Sequence, residues 1–383
     1  MRNSIMVLGG SFLQAEFIKD VVELGYEVFV FDSNPKCYVS KWKNINFYNI
    51  DFGNYQLTEK YFKKIKPNLI YAPSNEMGNL IAAKISNKFG LRYNSLETVQ
   101  NTLDKFAQRK IAKSSLYVKC PKFIVLDQSI DPSKINLEFP LVVKPTSNSA
   151  SRGVTCVNNK IELLEAIDYA IDFAYRSRSI IIEELLEGQQ ISVETVSVNG
   201  KHFIIGLTQE IVSDCPKFIE RCHFMSKQIH SKYYERLKEG IDDLLNCFNI
   251  MYGPCHIELK VTDKDIFLIE IASRAGGLRD VLMKCAKYPS YNELIIKSYT
   301  LDKFDKELIS PLPPQFNALV NILMKLSDQE TIKVGKKNNV LHSVYFNKKT
   351  PKDKPTSLLD SYGYSFFSSP KSLKEYSNQK FIL

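Results

Sequence analysis

The sequence predicts a protein of mixed α/β class with about two or three domains. Its 383 residues are more than one ordinary domain holds. Near the N-terminus, an apolar strand, an amphipathic helix and a second strand follow one another, which is the order of a βαβ unit. Residues 253–277 contain two alternating apolar and polar runs around the polar turn TDKD, a pattern typical of a β-hairpin. A parallel unit and an antiparallel hairpin in one chain predict both α/β and α+β segments.

The composition narrows the class of protein. With 44% hydrophobic and 24% charged residues, the chain resembles ordinary globular proteins, and no apolar run reaches the roughly 20 residues of a membrane span. The apolar segment in the opening MRNSIMVLGG is too short for a signal peptide. We therefore expect a cytoplasmic protein without a membrane partner. The eight cysteines are scattered without a C-x-x-C pair, which predicts reduced thiols. The net charge of +9 comes without a basic block, which favours a lysine-rich solvated surface over nucleic-acid binding and also suits an anionic substrate such as a nucleotide.

The first predicted unit is the βαβ segment. It consists of a strand over 4–8, the turn Gly9-Gly10, a helix over 13–24 closed by Gly25, and a strand over 26–31. The turn LGGSFLQ lacks the G-x-G-x-x-G spacing, so it supports dinucleotide binding only weakly.

Polar residues follow the next predicted strand, residues 69–72. Ser74, Asn75 and Glu76 stand at its carboxyl end, where open α/β sheets gather their ligands. Helix capping is an equal explanation for Asn75 and Glu76.

A domain boundary is expected near residue 95, where a helical segment containing Lys105 begins. Further on, a strand ends at Lys144 and is followed by small hydroxyl and amide residues over 146–152, and then by Gly153. Such a loop can surround phosphates with N–H and O–H donors, although a solvent-exposed turn has the same composition.

The remaining predicted elements are short and alternate in type. Linkers are expected over 130–138 and 301–315 because these stretches are polar or proline-containing. The predicted strands are 119–125, 179–182, 191–198 and 203–209, with three more in the tail after residue 316, and the predicted helices are 161–174 and 231–248.

The predicted hairpin carries the most informative pair of residues. If its loop is 263–265, Glu258 falls directly opposite Glu270, with Cβ atoms about 5 Å apart. Because like charges in that position repel, the pair suggests a bound cation, and oxygen ligands suit Mg²⁺. Arg274 follows, just before Gly276-Gly277, where backbone can approach a ligand. A surface hairpin with two solvated glutamates is the alternative.

In this order and spacing the motifs resemble the ATP-grasp superfamily of carboxylate–amine ligases, over nearly the whole chain. The matching pieces are Lys105 in an entry helix, FPLVVKP with its small-residue loop, IIIEELLEG, and HIELKV…FLIEIASRAGG. The resemblance implies an ATP-grasp fold with a Rossmann-like N-terminal domain (1–95), a central lobe (96–188), a C-terminal lobe with the metal site (189–300) and a small β-containing region (301–383).

The resemblance also implies roles for individual residues, with ATP and Mg²⁺ (or Mn²⁺) as cofactors. The guanidinium of Arg274 would stabilise charge on an acyl phosphate and its tetrahedral adduct. The remaining implied ligands are Lys105, Lys144, Ser149 and Gly153 for the ATP phosphates, Glu183, Glu184 and Leu186 for adenine, Gln190 for ribose, and Glu258 and Glu270 for the metal.

Two positions depart from the family pattern. Where the family has Asn two residues after the second metal glutamate, this chain has Ala272, followed by Ser273 in place of Pro. One metal ion would then rely on Glu270 and phosphates or bind more weakly. Gln190 stands where an acidic residue commonly meets the ribose, and an amide makes weaker hydrogen bonds than a carboxylate.

One further segment, PKFIERCHFMSKQI, resembles the F-x-E-x-x-H segment of L-amino-acid ligases. Glu220 and His223 would then line an amino-acid site, although a single histidine more often packs locally. The rest of that pocket would be Gly277 and Leu278, and Glu76 is a further candidate substrate ligand.

The sequence therefore predicts an ADP-forming ligase that joins a small-molecule carboxylate, an amino acid or an amino-acid-like acid, to an amine. A purine-type carboxylase or formate-activating enzyme is the nearest alternative, followed by a module that binds ATP without turnover and by an oxidoreductase. A homodimer is compatible with the sequence.

Overall fold

The computed structural model describes residues 3–126, 135–174, 179–304, 313–346, 350–351 and 355–377. Within them, the strands form three sheets of four, four and nine strands. Mixed parallel and antiparallel pairing confirms the predicted α/β and α+β class. Among the described helices, none is both long enough and apolar enough to cross a bilayer.

The N-terminal unit is a parallel sheet with strand order β3-β2-β1-β4. Its predicted βαβ order is confirmed, and Gly25 adopts the positive φ of +87° expected of a residue that ends a helix. The elements are β1 (Ser4–Leu8), α1 (Phe12–Glu23), β2 (Glu27–Asp32), β3 (Asn46–Asn49), α2 (Tyr55–Ile65), β4 (Leu69–Tyr71) and α3 (Glu76–Phe89).

A small antiparallel lobe follows, with strand order β6-β9-β7-β8 and one helix, α6, on its apolar face. The single strand predicted over 119–125 is wrong. Pro121 separates two strands that belong to different sheets, because proline has no N–H for a ladder. The elements from the boundary onward are α4 (Leu96–Asn101), α5 (Lys105–Ala112), β5 (Val118–Lys119), β6 (Phe123–Leu126), β7 (Leu141–Pro145), β8 (Thr155–Val157), α6 (Lys160–Asp172) and β9 (Ile180–Glu184).

The nine-stranded sheet has the order β16-β17-β15-β12-β11-β10-β13-β14-β5. The long helix α7 covers one of its faces, because Tyr233, Leu237 and Ile241 recur every four residues on one side of the helix. A strand at Glu220–Met225 was not among the predicted elements. The elements are β10 (Gln189–Val198), β11 (Lys201–Val212), β12 (Glu220–Met225), α7 (Lys227–Cys247), β13 (Gly253–Val261), β14 (Ile266–Ala272), α8 (Arg279–Cys285), α9 (Tyr291–Thr300), β15 (Asn317–Leu323), α10 (Gln329–Lys337), β16 (Leu341–Phe346) and β17 (Gly363–Ser369).

The two predicted linkers lie partly outside the described residues. Of the stretch 130–138, only residues from 135 onward are described, and they form no helix or strand up to 138. Of 301–315, the segment 305–312 is not described. The three predicted tail strands are confirmed as β15, β16 and β17, which continue the nine-stranded sheet.

The prediction of eight reduced cysteines is wrong for two of them. Cys156 in β8 and Cys215 in the loop between β11 and β12 form a disulfide, with Cα atoms 5.5 Å apart. The other six cysteines are free. Because the partners are 59 residues apart and only the tertiary fold brings them together, their spacing in the sequence gave no sign of the pairing.

Candidate active site

The hairpin of β13 and β14 places Glu258 directly opposite Glu270. The predicted register near the turn is one residue off, since Val261 pairs with Ile266 across the four-residue turn 262–265. A β-bulge then leaves Ile269 without a partner and restores the predicted opposition of the two glutamates. Both side chains are about one-fifth exposed, and both residues line the same cavity.

Two buried lysines face this carboxylate pair. Lys105, the first residue of α5, lies 3.0 Å from the Glu270 carboxylate and donates to the carbonyl of Asn148 at 2.8 Å. Lys144, in β7, lies 2.6 Å from the Glu183 carboxylate. Arg109, one helical turn after Lys105, donates to the same carboxylate at 2.6 Å. Lys105, Lys144 and Glu183 therefore form one charged side of the cavity.

Burial and ion pairing together set the protonation of Lys144 and Glu183. Burial lowers the pKa of Lys144 to about 8, and the attraction of Glu183 only partly offsets the shift. Burial acts to raise the pKa of Glu183, but Arg109 and Lys144 outweigh it and lower that pKa to about 2. Glu183 is thus held as a buried carboxylate. Lys144 shares this single negative charge with Arg109, so the charge of the lysine is only partly balanced.

The small-residue loop 146–152 folds over the cavity. Ala150 and Ser151 have positive φ angles of +60° and +56°, and Gly153 has +76°. A Cβ at Gly153 would lie 2.9 Å from the Cβ of Phe173, so only glycine fits this position without a shift.

The loop between β11 and β12 clamps this small lobe from the other side. The Cys156 N–H donates to the carbonyl of Pro216 at 2.8 Å, and the Ser151 hydroxyl donates to the carbonyl of Phe218 at 3.0 Å. Phe218 lines the cavity itself, so the loop closes one end of the cavity and holds the lobe that covers it.

One cavity brings together most residues that the sequence predicts as ATP ligands. Gln190 is only partly free, since its amide donates to Glu210 at 2.8 Å. The backbone N–H of Lys122 donates to the Glu184 carboxylate. The predicted residues that line the cavity are Lys105, Lys144, Ser149, Glu183, Glu184, Leu186, Gln190, Glu220, Glu258 and Glu270.

Beyond the carboxylate pair lies a second group of charged residues, of which Glu220 reaches the cavity. His223, buried in β12, lies with its Nε2 2.7 Å from the Glu220 carboxylate. Its Nδ1 lies 2.5 Å from a guanidinium nitrogen of Arg279. Burial and the charge of Arg279 lower the pKa of His223 to about 3, so this imidazole is neutral. Burial also raises the pKa of Glu220.

His256 links the Glu258–Glu270 pair to the sheet interior. Its Nδ1 contacts the fully buried Glu194, and its Nε2 lies 3.2 Å from the Glu258 carboxylate. Burial opposes protonation, but Glu194 and Glu258 raise the pKa of His256 to about 10. Ligand atoms of Glu210, His256 and Glu258 lie within 4.8 Å of one another.

The donor chemistry of the hairpin fits a hard divalent cation. Glu258 and Glu270 supply facing carboxylate oxygens, as Mg²⁺ requires. Ala272, opposite His256, offers no ligand. Ser273 is buried and hydrogen-bonded to Thr102 and Asn79, so it does not replace the family asparagine.

The N-terminal unit reaches the site through Glu76, which pairs with Arg274. Their side chains lie 3.1 Å apart, and both are largely buried. Burial acts to lower the pKa of Arg274, but Glu76 raises it. Asn75 caps α3 by accepting from the N–H of Gly78, which matches the helix-capping alternative, while the Ser74 hydroxyl donates to the carbonyl of Gly276.

The glycine segment after Arg274 is tightly packed on one side. A Cβ at Gly276 would lie 2.6 Å from a Glu194 oxygen, whereas a Cβ at Gly277 would meet open space. Leu278 is buried with a positive φ of +65°, and it immediately precedes α8. The structure thus places Gly277 and Leu278 beside Arg279 rather than among the residues that line the cavity.

Five charged residues of the site were not among the predicted ones. One signal in the sequence could have found three of them: a charged residue inside an otherwise apolar strand, which is costly to bury without a partner. A second signal, spacing of one helical turn after Lys105, points to Arg109. The five are Arg109, Glu194, Glu210, His256 and Arg279.

Comparison with known proteins agrees with this geometry. Residues 137–280 match the family model described as an ATP-grasp domain. Among curated proteins, the chain is 26% identical over 202 residues to the uncharacterized protein y4rH of Sinorhizobium fredii. It is also 26% identical over 186 residues to a formate-dependent phosphoribosylglycinamide formyltransferase of Prochlorococcus marinus. These matches cover 51% and 48% of this chain and 41% and 46% of the relatives, so the chain spans about half the length of the curated relatives it matches.

Solved structures match along almost the whole chain. An L-amino acid ligase from Bacillus licheniformis superposes with a TM-score of 0.83 at 17% identity, covering 98% of this chain and 95% of that one. An N5-carboxyaminoimidazole synthetase from Staphylococcus aureus, complexed with ADP, gives 0.75 at 17% identity, covering 96% and 94%. Residues 137–280 therefore match the ATP-grasp domain model, and the chain has the ATP-grasp fold along nearly its whole length.

Proposed function

We propose that this protein is an ATP-dependent ligase that joins a carboxylate to an amine through an acyl phosphate. The proposal includes a small amino-acid-like carboxylate, an amine as the second substrate and a cytoplasmic location. Its support is the arrangement of the cavity, in which cations for phosphate, carboxylates for a metal ion and a partly exposed acidic pocket adjoin one another.

ATP would be held by groups on both sides of the cavity. Lys105 and Lys144 would contact its phosphates, and the loop 146–152, including Ser149, would cover them with hydrogen-bond donors. Leu186 and the backbone around Glu184 would meet adenine, with Gln190 near the ribose. Closing the lobe over this site excludes water, which would otherwise hydrolyse an acyl phosphate.

Glu258 and Glu270 are the residues that would hold Mg²⁺ or Mn²⁺. When bound, the ion neutralises charge on the phosphate oxygens. Lys105 already lies beside Glu270, so it can contact the same phosphates that the ion would bind. His256 supplies a further positive charge behind Glu258 and contacts both Glu194 and Glu258.

Arg274 would act on the reacting carboxylate. A planar guanidinium can bind a carboxylate or its acyl phosphate with two hydrogen bonds and can stabilise oxyanion charge as the amine attacks. In the structure its charge is balanced by Glu76 from the N-terminal domain. A substrate carboxylate would therefore compete with Glu76 for the guanidinium.

The observation that carries the amino-acid assignment is the charge of the pocket beyond the metal pair. Glu220 presents a carboxylate there, while the cations Arg279 and Arg274 are already paired with Glu210 and Glu76. A pocket of this charge favours an ammonium group. A bicarbonate or a phosphoribosyl group is anionic and would be repelled.

The second candidate is a purine-type ligase that activates formate or bicarbonate. It is favoured by the similarity to the formate-dependent phosphoribosylglycinamide formyltransferases. Because these matches are under 30% identical and span about half of the relatives, they support this candidate only as the alternative.

Release of ADP in the presence of paired amino acids and amines tests the proposal, with formate and bicarbonate in parallel. We expect turnover only when an α-amino acid or a close analogue is present. Turnover with formate or bicarbonate alone would instead support the second candidate.

The pocket itself is tested by Glu220→Ala. Loss of a carboxylate partner for an ammonium group should raise the amino-acid KM roughly 30- to 1,000-fold and leave the KM for ATP unchanged. Glu235→Ala, which removes an exposed glutamate on α7, is the matched control. An unchanged amino-acid KM in Glu220→Ala would exclude this residue from the substrate site.

A further inference from the structure

Arg279 is a deeply buried cation of the site, and the sequence motifs assign it no role. It is the first residue of α8 and is 2% exposed. Its guanidinium pairs with Glu210, donates to the Ser192 hydroxyl at 3.1 Å and donates to the carbonyl of Gly277 at 3.3 Å. Its aliphatic part lies so close to Gly276 that a Cβ there would be 2.8 Å from the Arg279 Cγ. The side chain is therefore fixed from several directions.

This fixed guanidinium determines which nitrogen of His223 carries hydrogen. A guanidinium can only donate, so the Nδ1 that lies 2.5 Å from it must accept. A neutral imidazole that accepts at Nδ1 carries its hydrogen on Nε2. That Nε2 lies 2.7 Å from the Glu220 carboxylate, so it donates there.

The contacts from Arg279 to His223 and from His223 to Glu220 give the Glu220 carboxylate a defined orientation. One of its oxygens is occupied by His223, and its side chain remains about 20% exposed toward the cavity. Arg279 itself adds little free positive charge, because Glu210 pairs with it and Glu194 lies 3.6 Å from its Nε. Arg279 therefore acts on Glu220 through the contact with His223 rather than as a free positive charge beside it.

We propose that Arg279 is a positioning residue: it holds His223 in the Nε2–H tautomer, and His223 in turn orients the Glu220 carboxylate toward the ammonium group of the substrate. The ammonium part of this statement rests on the proposed function. The tautomer part does not, so the two can fail separately.

The tautomer is measured directly on the intact wild-type protein by ¹⁵N NMR with labelled histidine. The chain has five histidines, and the His223 signals are assigned by their loss in His223→Gln. We expect an unprotonated Nδ1 and a protonated Nε2 at neutral pH. A protonated Nδ1 on His223 in the wild-type protein would overturn the proposal.

Two variants then test the effect of Arg279. Arg279→Met leaves Glu210 buried without its partner, so the double variant Arg279→Met/Glu210→Gln, which removes both charges, is the one expected to keep its fold. In either folded variant, the His223 signals should shift toward a mixture of tautomers. The amino-acid KM should rise about 10- to 100-fold with the ATP KM unchanged, as for a lost hydrogen bond to a charged group.

Arg279→Lys should keep part of the wild-type tautomer and amino-acid KM, because a lysine keeps a charged donor. The effect is only partial because a lysine cannot reach both His223 and Glu210 with a planar fork. If the folded double variant keeps both the wild-type tautomer and the wild-type amino-acid KM, the positioning role is wrong. If the wild-type protein shows the expected tautomer but turns over no amino acid, the proposed function fails and the positioning of Glu220 by Arg279 stands.

Discussion

The disulfide between Cys156 and Cys215 allows a prediction whose magnitude follows from the structure. Cys215→Ser opens a covalent loop of 59 residues that joins the small lobe to the clamping loop between β11 and β12. The chain-entropy relation gives about 4 kcal/mol for a loop of this length, as an upper limit on the lost free energy of unfolding. The hydrogen bonds from Cys156 to Pro216 and from Ser151 to Phe218 remain, so the fold should persist.

The assay is urea unfolding of wild type and Cys215→Ser, each with and without a reducing agent. We expect the variant to unfold at lower urea than the oxidised wild type, and the reductant to bring the wild type to the same midpoint. Cys247→Ser, which removes a free cysteine, is the control and should unfold like the wild type. If the reductant leaves the wild-type midpoint unchanged while Cys215→Ser is destabilised, the loss does not come from the covalent bond. The reduced protein should also exchange a fluorescent ATP analogue faster, because the lobe covers the cavity.

Three further predictions concern the proposed ATP site. Glu270→Gln should abolish ADP formation without unfolding the protein, and near-normal turnover at saturating Mg²⁺ would contradict the metal assignment. Since the pKa of Lys144 in the free protein is about 8 and phosphates favour the charged form, ATP affinity measured by calorimetry should fall as pH rises above this value; Lys144→Arg, which stays charged, should show no such fall. Arg274→Ala should lower kcat and kcat/KM together in steady-state assays, because its strongest interaction is with charge that develops during reaction, and an effect on KM alone would argue for a ground-state contact only.

Much of the fold could be predicted from local patterns. Alternation of apolar and polar residues identified β13 and β14, and helical periodicity identified α6 and α7, because each signal depends on neighbours within a few positions. The strand predicted over 119–125 failed because the same local signal cannot show that a chain changes sheets at Pro121.

Only part of the candidate site could be predicted from the sequence. Lys105, Lys144, Glu258 and Glu270 lie in motifs whose order is informative, and the structure gathers them around one cavity. The buried charges behind them come from separate strands and from α8, and each finds its partner only through the tertiary fold. Arg279 and Glu210, for example, are 69 residues apart and form an ion pair that no spacing rule predicts.

The bulge at Ile269 has a consequence for how this hairpin tolerates insertions and deletions. Eleven residues separate Glu258 from Glu270, an odd number, while the turn 262–265 has four residues, an even number. In a regular antiparallel ladder, an even turn would pair Glu258 with Ile269 and direct Glu270 to the opposite face. The extra residue corrects this parity. A single insertion or deletion in the hairpin is therefore compatible with the carboxylate pair only if a bulge is lost or gained with it, whereas changes of two residues leave the pair intact.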